Sequence, residues 1–301
     1  MNDNIDNKFL KKFINSKLSK FFLILIKNKP LGALGFIITI LLLFAGLFAD
    51  YLAPYGINEL HMSDRLSAPS SRFWLGTDNL GRDILSRVIY GARVSLIVGF
   101  SVSIIATFIS ISLGMLSAYI GGKFDLIIQR FVDGFMCIPI LIIIMVVISM
   151  LGQGLIQLIV IMGFSFGISG SRNSRGFALT ILQNTYIESA KAIGCSTSRI
   201  LIHHVLLNIL PLIIVGFTIL LPGVILMEAG LSFLGYGIPP PAPSWGGMLS
   251  GTNRSYMFLA PWMVIWPGFA LSLVVFGTHM FGDAMRDLLD PRLQKSKNNK
   301  N

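Results

Sequence analysis

From Val94 to Ile120 this chain runs 27 residues without a charged side chain. No other feature restricts the fold as severely. Such a run is expelled from water, and inside hydrocarbon its backbone donors and acceptors find no solvent partner. It must close its own hydrogen bonds, which a single segment does only as a helix. About 20 residues at roughly 1.5 Å each cross a hydrocarbon core of about 30 Å. Leu31 to Ala49 is a second uncharged run of that kind. Further spans are expected from about Ile127 to Leu151, over Leu155–Gly170, from Val205 to about Leu234, and over Phe258–Phe281. Only 13% of the residues are charged, against about 25% in soluble domains. The predicted class is an all-α polytopic membrane protein with six transmembrane helices.

Six spans bring both termini to one side. Of the 24 Lys and Arg residues, 18 lie in segments 1–30, 120–130, 172–205 and 286–301, and 6 in 50–93 and 237–258. Cytoplasmic loops carry the basic excess, so the termini and the 172–205 stretch are predicted to face the cytoplasm of a cell membrane. The net charge of +10 is explained by the same asymmetry and gives no reason to invoke nucleic acid. The first 30 residues hold seven lysines with Leu10, Phe13, Leu18, Phe21 and Phe22 among them. This arm reads either as a segment lying on anionic lipid or as a disordered positive anchor. No short apolar stretch with a small-residue cleavage site follows it, so Leu31–Ala49 is expected to be a retained span. Cys137 and Cys195 have no metal-ligand spacing, and no disulfide, metal or cofactor is expected.

The chemistry is concentrated in the polar interruptions. Thr185 to Pro211, TYIESAKAIGCSTSRILIHHVLLNILP, separates two membrane-length runs and carries Glu188, Lys191, Arg199, His203 and His204. Thr185-x-x-Glu188 has the form of a capping box, so a helix is predicted to begin there, with Gly194 as its terminator or bend. An amphipathic helix in that place must meet water or a protein partner. Residues 50–93 are a second polar stretch. Thr77 or Asp78 is expected to cap an interfacial helix from about Gly81 that runs into the next span, with Arg82, Asp83 and Arg87 on it. The Pro- and Gly-rich segment GYGIPPPAPSWGGM reads as a rigid loop and a candidate surface for an outer partner, with Arg82, Asp83 and Trp245 as candidate contacts. Trp245 and Trp262 are expected in the interfacial aromatic belt.

Asp133 and Glu228 are acids inside spans, which makes them functional candidates. Asp133 either serves the path or pairs with Arg130 at i, i+3. Glu228 either lines the path or pairs with Arg82 or Arg87. Ser101, Ser103, Thr107, Ser110 and Ser112 either line a wet pore or let helices approach closely.

Four segments resemble one family. LGTDNLGRDILSRVIYGARVSL (75–96), IESAKAIG (187–194), MEAGLSFLGYGIPPPAPSWGGML (227–249) and FGDAMRDLLDPRL (281–293) are similar to stretches of the permease subunits of type I ABC importers. The likeness is to the second, C-type permease of the oligopeptide/dipeptide/nickel group, and it covers about Leu31 to Leu293. It implies the type I importer permease fold. It also implies a homologous B-type permease as partner, two cytoplasmic ATPases and an outer solute-binding protein, within membrane lipid. Glu188, Ser189, Ala190 and Gly194 would belong to the loop that docks into an ATPase. Ser189 stands where the family has a middle Ala, and Leu207 where it usually has Pro.

The resemblance divides the chain into a basic arm (1–30), a first span with an outer amphipathic segment (31–93), a five-helix core holding the 185–211 loop (94–285), and a tail (286–301). It makes the chain a transporter subunit rather than an enzyme, and no G-x-x-x-x-G-K-[ST] run occurs to cradle ATP phosphates. Peptides are the expected cargo, with nickel or another small solute as the alternative. A proton-coupled carrier is the rival class. It needs acid–base groups deep in the membrane and usually a repeated architecture, whereas the two acids here lie near span ends.

Overall fold

The computed structural model describes residues 25–251 and 255–289. The basic arm up to residue 24 and the tail beyond 289 lie outside them. Among the described residues the chain is helical, with one isolated bridge, Thr77 to Asp83. In order the helices are α1 (Pro30–Leu47), α2 (Ala49–Leu52), α3 (Ile84–Ile120), α4 (Gly122–Met136), α5 (Ile140–Leu151), α6 (Leu155–Leu182), α7 (Thr185–Ala192), α8 (Thr197–Phe233), α9 (Trp245–Met248) and α10 (Trp262–Leu289). Five of them are long and apolar enough to cross a membrane, and there are six if the bent pair α4 and α5 counts as one span.

That sixth span differs from the straight helix expected over 127–151. α4 and α5 meet at 86°. Pro139 is the cause: it offers no N–H, and it pushes Ile138 out of helical conformation, so α4 stops at Met136 and α5 restarts after Pro139. α5 alone rises only about 18 Å, short of a bilayer core. α4 carries Lys123, Asp125, Gln129, Arg130 and Asp133 and turns aside with its polar groups.

α3 is the axis of the molecule. The interfacial helix expected to run into the next span does so: residues 84–120 form one helix of 37 residues. The domain boundary expected at residue 93 therefore falls inside α3, and the one at 286 inside α10. α3 begins at Ile84 rather than Gly81 because Asp83 is the N-cap, its carboxylate accepting the Ser86 N–H at 2.7 Å. Buried clusters lie along it from Ile84, which packs with Met248, Ala260 and Met263, to its far end. At one end Ala92 and Leu96 pack with Leu221, Ile225, Trp245 and Val274. In the middle Val98 and Val102 meet Ile144, Ile148, Met162 and Val224. At the other end Met115 and Ala118 meet Ala178, Ile187, Ile200 and Val205.

α3 and α6 run in close contact because small residues face each other, as membrane helices without a hydrophobic drive require. A Cβ on Gly114 would sit 2.6 Å from the Ser171 carbonyl oxygen. Of the hydroxyl stripe, Ser110 belongs to this seam, its Oγ meeting Ser174 Oγ at 2.7 Å, and Ser103 is buried. α6 continues to Leu182, twelve residues past the expected end at Gly170. α1 lies against α10, where Lys29 forms an ion pair with Asp287.

Candidate functional site: a short mounted helix at one end, a buried polar cap at the other

At one end of the bundle, α6 and α8 are joined through α7. Only Gln183 and Asn184 separate α6 from α7, and Asn184 takes the N-cap position. The capping box expected at Thr185 and Glu188 is therefore not formed, since Thr185 is already helical. Asn184 turns its side chain backward instead, donating to the Thr180 and Ile181 carbonyls at 3.2 and 2.9 Å and closing the end of α6. α7 ends at Gly194. Its N–H donates to the Lys191 carbonyl and the Cys195 N–H to the Ala190 carbonyl, each at 3.0 Å, which is a Schellman motif. Gly194 has φ +80, where a Cβ is strained.

α7 is two-faced. Ile187 and Ala190 are buried in the cluster shared by α3, α6 and α8. Glu188, Ser189, Lys191 and Gly194 are exposed. The Ser189 hydroxyl donates back to the Thr185 carbonyl at 3.1 Å. Lys191 Nζ lies 5.3 Å from the centre of the Tyr119 ring, at the end of α3. α8 then opens with a π-helical stretch, Ile200–Leu206, which holds His203 and His204.

Beside α7 lies an ion-pair cluster that residue spacing had not revealed. Arg175 holds Asp125 through two bonds, Nε to Oδ1 at 2.6 Å and Nη2 to Oδ2 at 2.5 Å. The Ser117 hydroxyl donates to the same carboxylate at 2.5 Å. Asp133 meets Arg172 at 2.9 Å, while the expected i, i+3 partner Arg130 stands at 4.0 Å. These pairs fasten α4 to α6 and border a cavity of about 320 Å³.

The opposite end is built from residues 53–83 and 235–250. Tyr55, His61 and Phe73 stack with centroids 5.1 to 5.3 Å apart. Arg93 reaches from α3 to Asp50 at 2.8 Å, and its hydrogen bond holds that carboxyl below the usual range. The outer-contact expectation needs correction at two positions. Asp83 is 3% exposed and occupied with Ser86. Trp245 is fully buried, its Nε1 donating to the Val88 carbonyl at 2.9 Å. It stands in no aromatic belt. Trp262 also binds inward, to the Thr77 carbonyl at 3.1 Å.

Glu228 is corrected likewise. It is fully buried, and neither arginine reaches it; Arg82 and Arg87 turn to Asp78, at 2.6 and 3.8 Å. The Ser232 hydroxyl donates to Glu228 Oε1 at 2.7 Å, and Oε2 has no partner among the described residues.

Fold and site together define a multi-span helical membrane protein that presents one rigidly seated short helix at an end of its bundle. Residues 110–295 match the family of binding-protein-dependent transport system inner membrane components, and the chain belongs to it. Among its relatives is the dipeptide transport system permease protein DppC of Alkalihalophilus pseudofirmus, 39% identical over 89% of this chain and 88% of the relative. The glutathione transport system permease protein GsiD of Pectobacterium atrosepticum is 38% identical over 85% of each chain. The oligopeptide transport system permease protein OppC of Bacillus subtilis is 32% identical over 89% of this chain and 88% of the relative.

Proposed function

We propose that this chain is one half of the membrane path of an ABC importer for short peptides, driven through α7 by separate ATPases. One observation carries the reading: α7 is exposed on the face of Glu188 and Ser189 while its other face is sunk among three spans. A partner that grips the exposed face moves α3, α6 and α8 together. α3 extends about 55 Å, so a tilt begun at α7 is carried to the far end of the bundle.

The permease gains directionality only if the driven state makes contacts the resting state lacks. ATP-dependent closure of two cytoplasmic ATPases around α7 and its counterpart on a homologous B-type permease would supply them. The basic excess on the α7 side supports cytoplasmic termini. A solute-binding protein would then deliver cargo at the opposite end. Peptides are the proposed cargo because the relatives are named for dipeptides, oligopeptides and glutathione.

The test is co-purification with the cognate ATPases together with peptide uptake, comparing wild type with Glu188→Ala and Gly194→Asp. Association and uptake are expected to fall in both variants. If neither variant changes either quantity, docking through α7 is wrong. Extracellular labelling of a cysteine placed at Ser196 would overturn the proposed orientation.

A further inference from the structure

A cavity of about 330 Å³ opens at the end opposite α7, between the start of α3 and the 235–251 loop. Among the described residues its charged lining side chains are Arg82 and Arg87, and no acid lines it. Asn79, Gln153, Ser232 and Ser250 add neutral polar groups. The two arginines are not equally satisfied. Arg82 Nε donates to Asp78 Oδ2 at 2.6 Å, and the Arg82 and Leu80 backbone N–H groups donate to Asp78 Oδ1. Arg87 Nε forms only a loose ion pair with Asp78 Oδ2, at 3.8 Å and outside hydrogen-bond distance. Among the described residues the hydrogen bond of Arg87 is a long one, from Nη1 to the Ile57 carbonyl at 3.4 Å. Yet its side chain is only 8% exposed.

A guanidinium has five N–H donors in a planar fork. Burying that charge with one long bond and a distant counter-ion is costly. Arg87 is itself among the residues that line the cavity. What completes such a group is a planar anion able to accept two parallel bonds, and a carboxylate has that shape. The volume falls within the range of small-ligand sites.

We propose that this cavity is a carboxylate site, in which Arg87, with Arg82 beside it, takes the C-terminal carboxylate of a peptide arriving from the outer face. The assignment of cargo and face rests on the function proposed above. The site gives the permease its own grip on the free end of a peptide, whatever the residues before it.

The experiment uses the complete transporter in nanodiscs, without binding protein or nucleotide. A radiolabelled tripeptide with a free C-terminus is compared with the same tripeptide amidated. Saturable binding of the free acid is expected, with the amide at least about tenfold weaker. Arg87→Gln should weaken the free acid to the level of the amide, and Arg82→Gln should weaken it less. If Arg87→Gln does not assemble, the acid-to-amide ratio in wild type and in Arg82→Gln decides. Equal binding of acid and amide to wild type overturns the site, as does an undiminished ratio in both variants. The wild-type comparison requires only the assembled complex. A complex that fails to assemble with its ATPases would count against the function proposed above instead.

Discussion

The two ends of the bundle treat polar groups in opposite ways. At the α7 end several are exposed or half-exposed: Glu188 and Ser189 face outward, and Asp133 and Arg172 are 39% and 60% exposed. At the far end they are sealed: Asp83, Arg87, Glu228 and Ser244 are all buried, around a fully buried Trp245. Exposed polar groups contribute little to stability and remain free for a partner. Where sealed groups are paired within the chain, as Asp83 with Ser86 and Trp245 with the Val88 carbonyl, their bonds favour a single arrangement. One end is thus a handle, and the other is a cap whose internal bonds set where the spans finish.

The sharpest way to break this contrast is Trp245→Ala. It removes a fully buried ring and its bond to the Val88 carbonyl, and should cost about 3–5 kcal/mol in detergent-denaturation titrations. A loss below about 1 kcal/mol would show the cap to be loosely packed. Next is Glu228→Ala, which leaves the buried Ser232 hydroxyl without its acceptor and should cost about 1–3 kcal/mol. Glu228→Gln, retaining a carbonyl there, should cost less in the same titration. Asp125→Asn at the α7 end loosens the two-bond pair with Arg175, whose side chain is 29% exposed. About 1 kcal/mol is expected, and exchanging the two residues should restore part of it. The smallest stability effect is reserved for the handle: Glu188→Ala should change it by less than about 0.5 kcal/mol. A larger change would mean that Glu188 holds α7 in place, and the two ends would then differ less than their exposure indicates.

Some of the candidate site was legible in advance and some was not. Glycine near the end of a short polar helix is a strong local signal, and Gly194 does terminate α7 with a left-handed φ. That helix does begin at Thr185, but its cap is not legible: a capping box is a pattern of residue types, whereas α6 runs on to Leu182 and leaves Asn184 as the cap. The bend at Pro139 was written in the residue type itself but was overruled by hydropathy, which does not register backbone donors. Asp125 and Arg175 are 50 residues apart, and no periodicity pairs them. A pairing of Glu228 with Arg82 or Arg87 is suggested by charge alone, but Arg82 is bound in the turn at Asp78 and Arg87 lies nearer Asp78 than Glu228.

The sequence by itself determined that this chain lives in a membrane and roughly where each span lies. The cost of an unpaired backbone group in hydrocarbon is local, and every residue of an apolar run carries it. It also marked the one polar helix between spans. Only the tertiary structure decided which charges meet, which tryptophan is hidden, and which arginine is left with unsatisfied donors beside a cavity. Those outcomes depend on how separate helices pack in three dimensions, and a side chain's partner there is set by the neighbouring helix rather than by its neighbours along the chain.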